Sequence, residues 1–256
     1  MNAAGRRPVE EVAVGGPDAI FSNPRLAQIY DDVDADRSDL VHYVAMVEEF
    51  APRSVLDVGC GTGTFASLLA GNGLEVIGVD PAAASLDVAR RKPGCDRVRW
   101  VLGDSSAAGA IAVDLATMTG NVAQVFLTDD AWRTNLAAIH SALRPSGKLV
   151  FEVRDPARRG WEDWTCARTH ALVTTAAAGV VETWVEITEV LLPLVSFRHT
   201  YRFDDGLNLT SDSTLRFRGK QEIVESLAQT GFIVDDIRDA PDRPGKELVF
   251  IARRND

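Results

Sequence analysis

Cysteine, long apolar runs and positive charge are all scarce in this chain of 256 residues. The three cysteines, Cys60, Cys95 and Cys166, have neither the number and spacing of a disulfide framework nor those of a zinc site. No stretch reaches the roughly 18 apolar residues that a membrane helix needs. No apolar segment follows Arg6-Arg7, as an export signal would require. We therefore expect a cytoplasmic protein with reduced thiols, no metal site and no membrane partner.

The charge balance narrows the classes of partner. The chain has 27 lysine and arginine residues against 37 aspartate and glutamate residues, which gives a formal net charge of −10. Nucleic-acid binding depends on lysine and arginine contacts to phosphates, so this balance argues against a nucleic-acid partner. A small neutral or cationic ligand fits better. Apolar residues make up 46% of the chain, enough for a sizeable core, and the length suits one domain with an insertion.

A glycine-rich turn follows the first apolar strand of the sequence. The run Val55 to Val58 contains Asp57 and leads into Gly59-Cys60-Gly61-Thr62-Gly63. Glycines let a backbone approach a ligand closely, and the helix that begins after them offers free N–H groups. A second apolar strand ends in Asp80, about 20 residues further on, where a carboxylate is suited to ribose hydroxyls. The alternative for this aspartate is a capping role at the helix that follows.

The spacing of the glycines separates several nucleotide-binding patterns. A dinucleotide fingerprint places its third glycine where Thr64 stands, and a phosphate loop requires a lysine that this turn lacks. The combination of the glycine turn, Asp57 and Asp80 instead resembles motif I of the class I S-adenosylmethionine-dependent methyltransferases. This resemblance is close over residues 53 to 154 and looser through the last helix and two strands.

Strands and helices alternate through the first part of the chain, which predicts an α/β fold with a doubly wound, Rossmann-like parallel sheet. The alternation breaks after residue 154, where three runs of alternating polarity and the turn Asp204-Asp205-Gly206 predict a small antiparallel sheet. The resemblance implies seven strands in the main sheet, of which only the last is antiparallel. The predicted division is a flexible segment at 1–23, a core at 24–154 and 218–256, and a β-rich cap inserted at 155–217.

The resemblance also implies a set of cofactor-binding residues. Gly59, Gly61 and Gly63, with Asp57 before them, would lie at the methionine part of S-adenosylmethionine. The other predicted positions are Asp80 and the adjoining Pro81 at the ribose, Asp104 and Ser105 at the adenine, Thr119 near the transferred methyl group, and Tyr30 in an N-terminal lid. For Asp104, a role as a turn residue is the alternative.

The predicted cap points to the substrate class. Small-molecule methyltransferases, including sugar-amine N-methyltransferases, often carry a β-rich cap at this place, so the resemblance implies a small-molecule acceptor methylated at nitrogen or oxygen. The segment after the fourth strand, Met118 to Val122, lacks the Asn/Asp-Pro-Pro-Tyr/Phe signature of DNA and protein amine methylation. Two alternatives remain open: a non-catalytic cofactor-binding protein on the same fold, and an NAD(P)-dependent oxidoreductase, against which Thr64 argues.

Two residues are candidates for a catalytic role. His199 lies between Phe197 and Tyr201 on the apolar face of a predicted cap strand, where it is either a general base or a hydrogen-bonded core histidine. Arg154 follows the fifth strand and either orients a polar substrate or forms an ion pair. Trp161 and the neighbouring Trp164 begin the insertion and are predicted to pack in the cap core or to stack on substrate. The oligomeric state is open.

Overall fold

The computed structural model describes residues 16–255 of the chain. The elements in chain order are α1 (Ala19–Ser22), α2 (Pro24–Val33), α3 (Asp39–Phe50), β1 (Ser54–Val58), α4 (Thr64–Gly71), β2 (Glu75–Asp80), α5 (Ala83–Ala89), β3 (Val98–Leu102), β4 (Val113–Met118), α6 (Asp129–Ala142), β5 (Leu143–Arg154), α7 (Cys166–Thr169), β6 (Ala171–Thr175), β7 (Gly179–Leu191), β8 (Leu194–Phe203), β9 (Asn208–Arg216), α8 (Lys220–Gln229), β10 (Phe232–Asp239) and β11 (Glu247–Arg254). Within this part of the chain, no helix is long and apolar enough to cross a membrane.

The N-terminal segment differs in part from the predicted flexible stretch 1–23. Residues 1–15 of that stretch lie outside the described residues, but Ala19–Ser22 forms α1. Two backbone groups of α1 form hydrogen bonds with residues far away in the sequence. The Ile20 N–H donates to Ser211 Oγ at 2.9 Å, and Ser85 Oγ donates to the Phe21 carbonyl oxygen at 3.0 Å. These long-range hydrogen bonds order a segment whose composition alone suggests flexibility.

Capping residues define where α2 and α6 begin. The side chain of Asn23 accepts hydrogen bonds from the N–H groups of Arg25 and Leu26, and Pro24 occupies the first turn of α2. Thr128 caps α6 by accepting from the Ala131 N–H at 3.1 Å. Both helices therefore start at residues that can satisfy the unpaired N–H groups of a first turn.

The main sheet has seven strands in the order β10-β11-β5-β4-β1-β2-β3. Every neighbouring pair from β5 to β3 is parallel, whereas β11 runs antiparallel to both β5 and β10. The predicted seven-stranded α/β sheet with a reversed last strand is thus confirmed. Strand order reverses between β1 and β4, and ligands on open α/β sheets bind at the carboxyl ends of strands beside such a point.

Both faces of this sheet are covered by helices. On one face, Phe151 and Phe250 stack with ring centroids 5.3 Å apart, beneath Trp132 of α6. On the other face, Val150 and Ile251 pack against α3 and α4. Alternate residues of β5 and β11 therefore enter opposite layers, as a strand buried on both faces requires.

The insertion folds as a second sheet with the order β6-β7-β8-β9, and these strands all lie within residues 155–217. The sequence runs correspond to β7, β8 and β9. β6 was not predicted, because Ala171–Thr175 is only five residues long and its apolar and polar residues do not alternate. Trp161 is 2% exposed, and its ring centroid lies 4.5 Å from that of Phe217, so it packs in the cap core. A second apolar cluster of the cap, which includes Val181 and Phe203, packs on α2.

Candidate functional site

The glycine loop after β1 is tied to the end of β2. The N–H groups of Gly59 and Cys60 both donate to the Val79 carbonyl oxygen, at 2.8 and 3.1 Å. The Gly61 N–H donates to Asp80 Oδ2 at 2.9 Å. The two motifs that the sequence separates by about 20 residues are therefore in direct contact at the carboxyl edge of the sheet.

The three glycines of the loop have different surroundings. Gly59, Gly61 and Gly63 all have left-handed backbones, with φ of +72°, +54° and +76°. A Cβ would lie 2.5 Å from a Val122 methyl at Gly59 and 2.3 Å from the Trp100 ring at Gly63, so these two glycines permit close packing. A Cβ at Gly61 would meet nothing within 4 Å. Gly61 thus presents bare backbone to open space beside Asp80, which is the cradle that a bound nucleoside ligand needs.

Asp80 is 7% exposed and uses both carboxylate oxygens. Oδ2 accepts from Gly61, and Oδ1 accepts from the Ala82 N–H at 2.8 Å, just before α5. Burial raises the pKa of this carboxyl, while the two backbone hydrogen bonds oppose that shift. The N-cap of α5 is Ala82, and no side chain caps the first turn of this helix. Each oxygen of Asp80 keeps a further acceptor site, so its contacts are compatible with ribose binding. Pro81 follows and is exposed.

Asp57 lies behind the loop and is 1% exposed. Its Oδ1 accepts a hydrogen bond from Thr117 Oγ1 of β4 at 3.0 Å. Burial raises the pKa of Asp57 to about 7, and the negative charge of Asp80 adds to that effect. This carboxyl therefore joins β1 to β4 at the point where strand order reverses.

The turn after β3 reaches the same edge of the sheet. The Gly103 N–H donates to the Asp80 carbonyl oxygen at 3.0 Å. Asp104 is exposed, and its Oδ1 accepts from both the N–H and the hydroxyl of Ser106, at 2.9 and 2.5 Å. Ser105 is 4% exposed. The structure thus shows the turn role of Asp104 and brings this residue near Asp80.

The segment after β4 contains Thr119, which is half-buried, and Asn121, which has a left-handed backbone with φ of 62°. The Asn121 N–H donates to Glu152 Oε1 at 2.6 Å, and its side-chain amide donates to Glu247 Oε1 at 3.3 Å. Glu152 is 2% exposed, and burial together with the neighbouring Glu247 raises its pKa to about 7. Neither glutamate was predicted from the sequence: Glu152 is a charge inside an apolar strand, whereas Glu247 begins β11 and gives no such signal.

The lid helix α2 carries Tyr30, whose ring centroid lies 5.5 Å from that of Phe21. Burial, aided by the negative charge of Asp34, raises the pKa of Tyr30 to about 12. The neighbouring Asp31 accepts a hydrogen bond from Thr62 of the glycine loop at 2.6 Å. The predicted lid therefore lies against the loop.

Arg154 lies where β5 meets the cap. Its Nη1 donates to Gln124 Oε1 at 3.1 Å, and its Nε lies 3.7 Å from Glu247 Oε1. The guanidinium carbon is 5.4 Å from the centre of the Trp164 ring. Arg154 forms an ion pair with Glu247 and keeps 24% of its side chain exposed, so its contacts are compatible with both predicted roles.

His199 has partners at both ring nitrogens. Nε2 lies 2.6 Å from Thr183 Oγ1, and Nδ1 lies 2.8 Å from the Tyr201 hydroxyl. Burial lowers the pKa of His199 to about 4, so the ring is neutral at pH 7. A neutral imidazole has one donor and one acceptor, and the two hydroxyls engage both. The contacts fit the core-histidine alternative, and the general-base role stays a prediction.

A surface groove of about 590 Å³ lies at the opposite end of the strands, where β1 to β4 begin. Ser54, Glu75 and Arg99 are among its lining residues. Parallel sheets bind ligands at their carboxyl ends, so the groove is not the candidate site. Among residues 16–255, no group of three or more His, Cys, Asp and Glu residues is arranged to hold a metal ion.

Comparisons with known proteins agree with this geometry. Residues 55–147 match the family model of a methyltransferase domain, a segment that contains the glycine loop, Asp80 and the turn after β4. The fold matches the crystal structure of an S-adenosylmethionine-dependent methyltransferase from Clostridium acetobutylicum, with a TM-score of 0.74, 17% identity and coverage of 91% of this chain and 98% of that one. Residues 55–147 thus match a methyltransferase domain, and the chain has the fold of an S-adenosylmethionine-dependent methyltransferase. S-adenosylmethionine is the cofactor named for that matched structure, and the open backbone of Gly61 beside Asp80 fits this ligand.

Two further similarities concern methyltransferases with named acceptors. The structure of CalS10, an amino pentose methyltransferase from Micromonospora echinaspora with bound S-adenosylmethionine, matches with a TM-score of 0.70, 22% identity and coverage of 89% of this chain and 97% of that one. The cypemycin N-terminal methyltransferase of a Streptomyces species is 31% identical over 141 residues, which cover 50% of this chain and 58% of that relative. The chain thus spans about half the length of the curated relatives it matches.

Proposed function

We propose that this methyltransferase transfers a methyl group from S-adenosylmethionine to a nitrogen or oxygen atom of a small molecule. The observation that carries the proposal is the open backbone of Gly61 next to the buried carboxylate of Asp80, at the point where strand order reverses. The cap at 155–217 supports a small acceptor, because CalS10, named as an amino pentose methyltransferase, shares the fold over most of the chain.

The residues around the loop have separate proposed roles. Gly61 leaves room for the cofactor, and Asp80 accepts hydrogen bonds from its ribose. Asp104, with Ser105 behind it, lies near the adenine. Tyr30 closes the site from the side of α2. The remaining proposed contacts are Gly59, Gly63, Asp57, Pro81 and Thr119, which shape the loop and the carboxyl edge around the cofactor.

S-adenosylmethionine, when bound, supplies a methyl group on a sulfonium leaving group. The chain must align the acceptor atom with this methyl group and exclude water, and alignment alone supplies up to about 7–11 kcal/mol in favourable cases. A free amine acceptor needs no general base, whereas a hydroxyl or an ammonium group does. His199 holds its proton-accepting nitrogen against a protein hydroxyl, so the geometry favours an acceptor that arrives as a free amine.

Arg154 is proposed to orient the acceptor. It projects from the end of β5 toward Trp164 of the cap and keeps 24% of its side chain exposed. Its hydrogen bond to Gln124 ties the guanidinium to the segment after β4. A polar group of a small molecule held there would lie beside the carboxyl ends of β4 and β5.

Methyl transfer to a panel of small molecules tests the proposal. The purified chain is incubated with S-adenosylmethionine and with amines, amino sugars and alcohols, and methylated products are sought by mass spectrometry. We expect methylation of at least one amine, and much less product with Gly61→Ala, whose Cβ would enter the open space and meet no protein atom within 4 Å. Cofactor binding without any methylated product would instead support the non-catalytic alternative. Methylation of a protein or of DNA alone would contradict the small-molecule acceptor.

A further inference from the structure

One carboxylate of the lid helix connects three parts of the candidate site. Asp31 Oδ1 accepts from Thr62 Oγ1 at 2.6 Å and from Thr64 Oγ1 at 3.3 Å. Asp31 Oδ2 pairs with Lys92 Nζ at 2.6 Å, and the same ammonium donates to Thr64 Oγ1 at 2.7 Å. These four side chains form a closed network, which we name the Asp31 latch.

The members of the latch come from the elements that surround the cofactor loop. Thr62 is 3% exposed and stands between Gly61 and Gly63, while Thr64 is the first residue of α4. Lys92 follows α5, with 21% of its side chain exposed, against 35% for Asp31. Partial burial strengthens charge-assisted hydrogen bonds relative to an exposed surface ion pair. The network therefore binds α2 to a loop whose three left-handed glycines give it little stiffness of its own.

The other side-chain contacts of α1 and α2 lead elsewhere. Asp32 accepts from the Ala176 N–H of the cap at 2.8 Å, and Arg25 pairs with Asp205 of the cap at 2.6 Å. Among the described residues, Asp31 makes all the side-chain hydrogen bonds between α2 and the glycine loop. Neighbouring carboxylates on one helix thus have separate targets: Asp31 holds the loop and Asp32 holds the cap.

We propose that Asp31 is a positioning residue whose latch with Lys92 fixes the glycine loop and fastens α2 over it, so that it sets how fast the cofactor leaves. The inference rests on the proposed function, since it takes the glycine loop as the place where S-adenosylmethionine binds. A ligand held between the loop and α2 leaves only when the helix separates from the loop. Breaking the latch therefore accelerates dissociation more than it disturbs the fold.

The test uses S-adenosylhomocysteine as the probe, because it lacks the reactive methyl group. Its affinity is measured by isothermal titration and its dissociation rate by stopped-flow fluorescence for the wild type, Asp31→Ala and Lys92→Met. We expect each variant to weaken binding and to accelerate dissociation about tenfold, the equivalent of about 1.4 kcal/mol. Asp32→Asn is the matched control, because it alters the neighbouring carboxylate without touching the loop, and it should stay within about twofold.

A double-mutant cycle separates the latch from general destabilisation. If Asp31 and Lys92 act through one network, the double variant loses little more affinity than either single variant. An unfolding midpoint that falls while affinity and dissociation rate stay at their wild-type values would overturn the proposal. Should Asp31→Ala not fold, Lys92→Met still breaks the ion pair from a partly exposed position and decides the question alone. Failure of the wild type itself to bind the probe would instead overturn the proposed function.

Discussion

The buried carboxyl of Glu152 predicts an unusual response of stability to pH. Its pKa rises from 4.5 to about 7 in the folded chain, because burial and the nearby Glu247 penalise its charge. Between these values the folded state holds a proton that the unfolded state has released, so stability rises as pH falls through 7. From pH 8 to pH 6, a carboxyl with this pKa adds roughly 1 kcal/mol to the free energy of unfolding.

Two other buried groups titrate over the same range. Asp57, whose pKa rises from 3.8 to about 7, adds a similar amount with the same sign. His199 acts in the opposite direction: its pKa falls from 6.5 to about 4, so the unfolded state gains a proton first on acidification. That removes less than about 1 kcal/mol at pH 6. Together these three groups add roughly 1–2 kcal/mol to the free energy of unfolding between pH 8 and pH 6.

The substitution Glu152→Gln isolates the contribution of this one carboxyl. A glutamine keeps an oxygen that can accept from the Asn121 N–H, so the turn after β4 retains its anchor. The pH-dependent gain should fall by roughly 1 kcal/mol, because the substituted side chain no longer titrates. Unfolding by guanidinium chloride at pH 6, 7 and 8 and constant ionic strength measures this change in the free energy of unfolding. Glu48→Gln, at an exposed position, is the control. Equal pH dependence in the wild type and Glu152→Gln would refute the reasoning.

Three further predictions concern the loop, the cap and the acceptor site. Gly61→Ala should lower the free energy of unfolding by about 1 kcal/mol, because its backbone is left-handed. It should also weaken cofactor binding, as measured by isothermal titration. Gly59→Ala should destabilise the fold more, because its Cβ would lie 2.5 Å from Val122. Similar unfolding midpoints for the two variants would contradict this difference. Trp161→Ala should lower the free energy of unfolding by about 3–5 kcal/mol, as measured by denaturation, because it empties the cap core. Arg154→Gln should raise the KM for the acceptor and leave the cofactor affinity unchanged; an unchanged KM would remove Arg154 from the acceptor site.

The sequence was informative where a function is concentrated in consecutive residues. Gly59 to Gly63 must turn sharply after a strand, and the apolar run ending in Asp80 brings a carboxylate to the same edge, so both could be recognised without a structure. The regular alternation of strands and helices likewise predicted the sheet. The cap was predicted from its period-two runs, of which only the five-residue strand β6 was too short to stand out.

The contacts that the sequence did not predict join residues far apart in the chain. Glu152 holds Asn121 across 31 positions, and Asp31 reaches Thr62 across the same separation. The surroundings of His199 depend on the pairing of β7 with β8, which places Thr183 opposite Tyr201. The alternation of polar and apolar residues predicted which face of β8 carries this histidine. It could not show that two hydroxyls form hydrogen bonds with the ring. Such pairings follow from strand register and packing rather than from local pattern.

Titration of the chain with S-adenosylmethionine and S-adenosylhomocysteine tests the central claim most directly. The account predicts one binding site per chain and a marked loss of affinity in Asp80→Asn, whose amide cannot accept both the Gly61 and Ala82 N–H groups. Asp87→Asn, at an exposed position on the helix α5 that follows, should bind like the wild type. Absence of binding at millimolar concentration, or tight binding of a reduced nicotinamide dinucleotide instead, would contradict it.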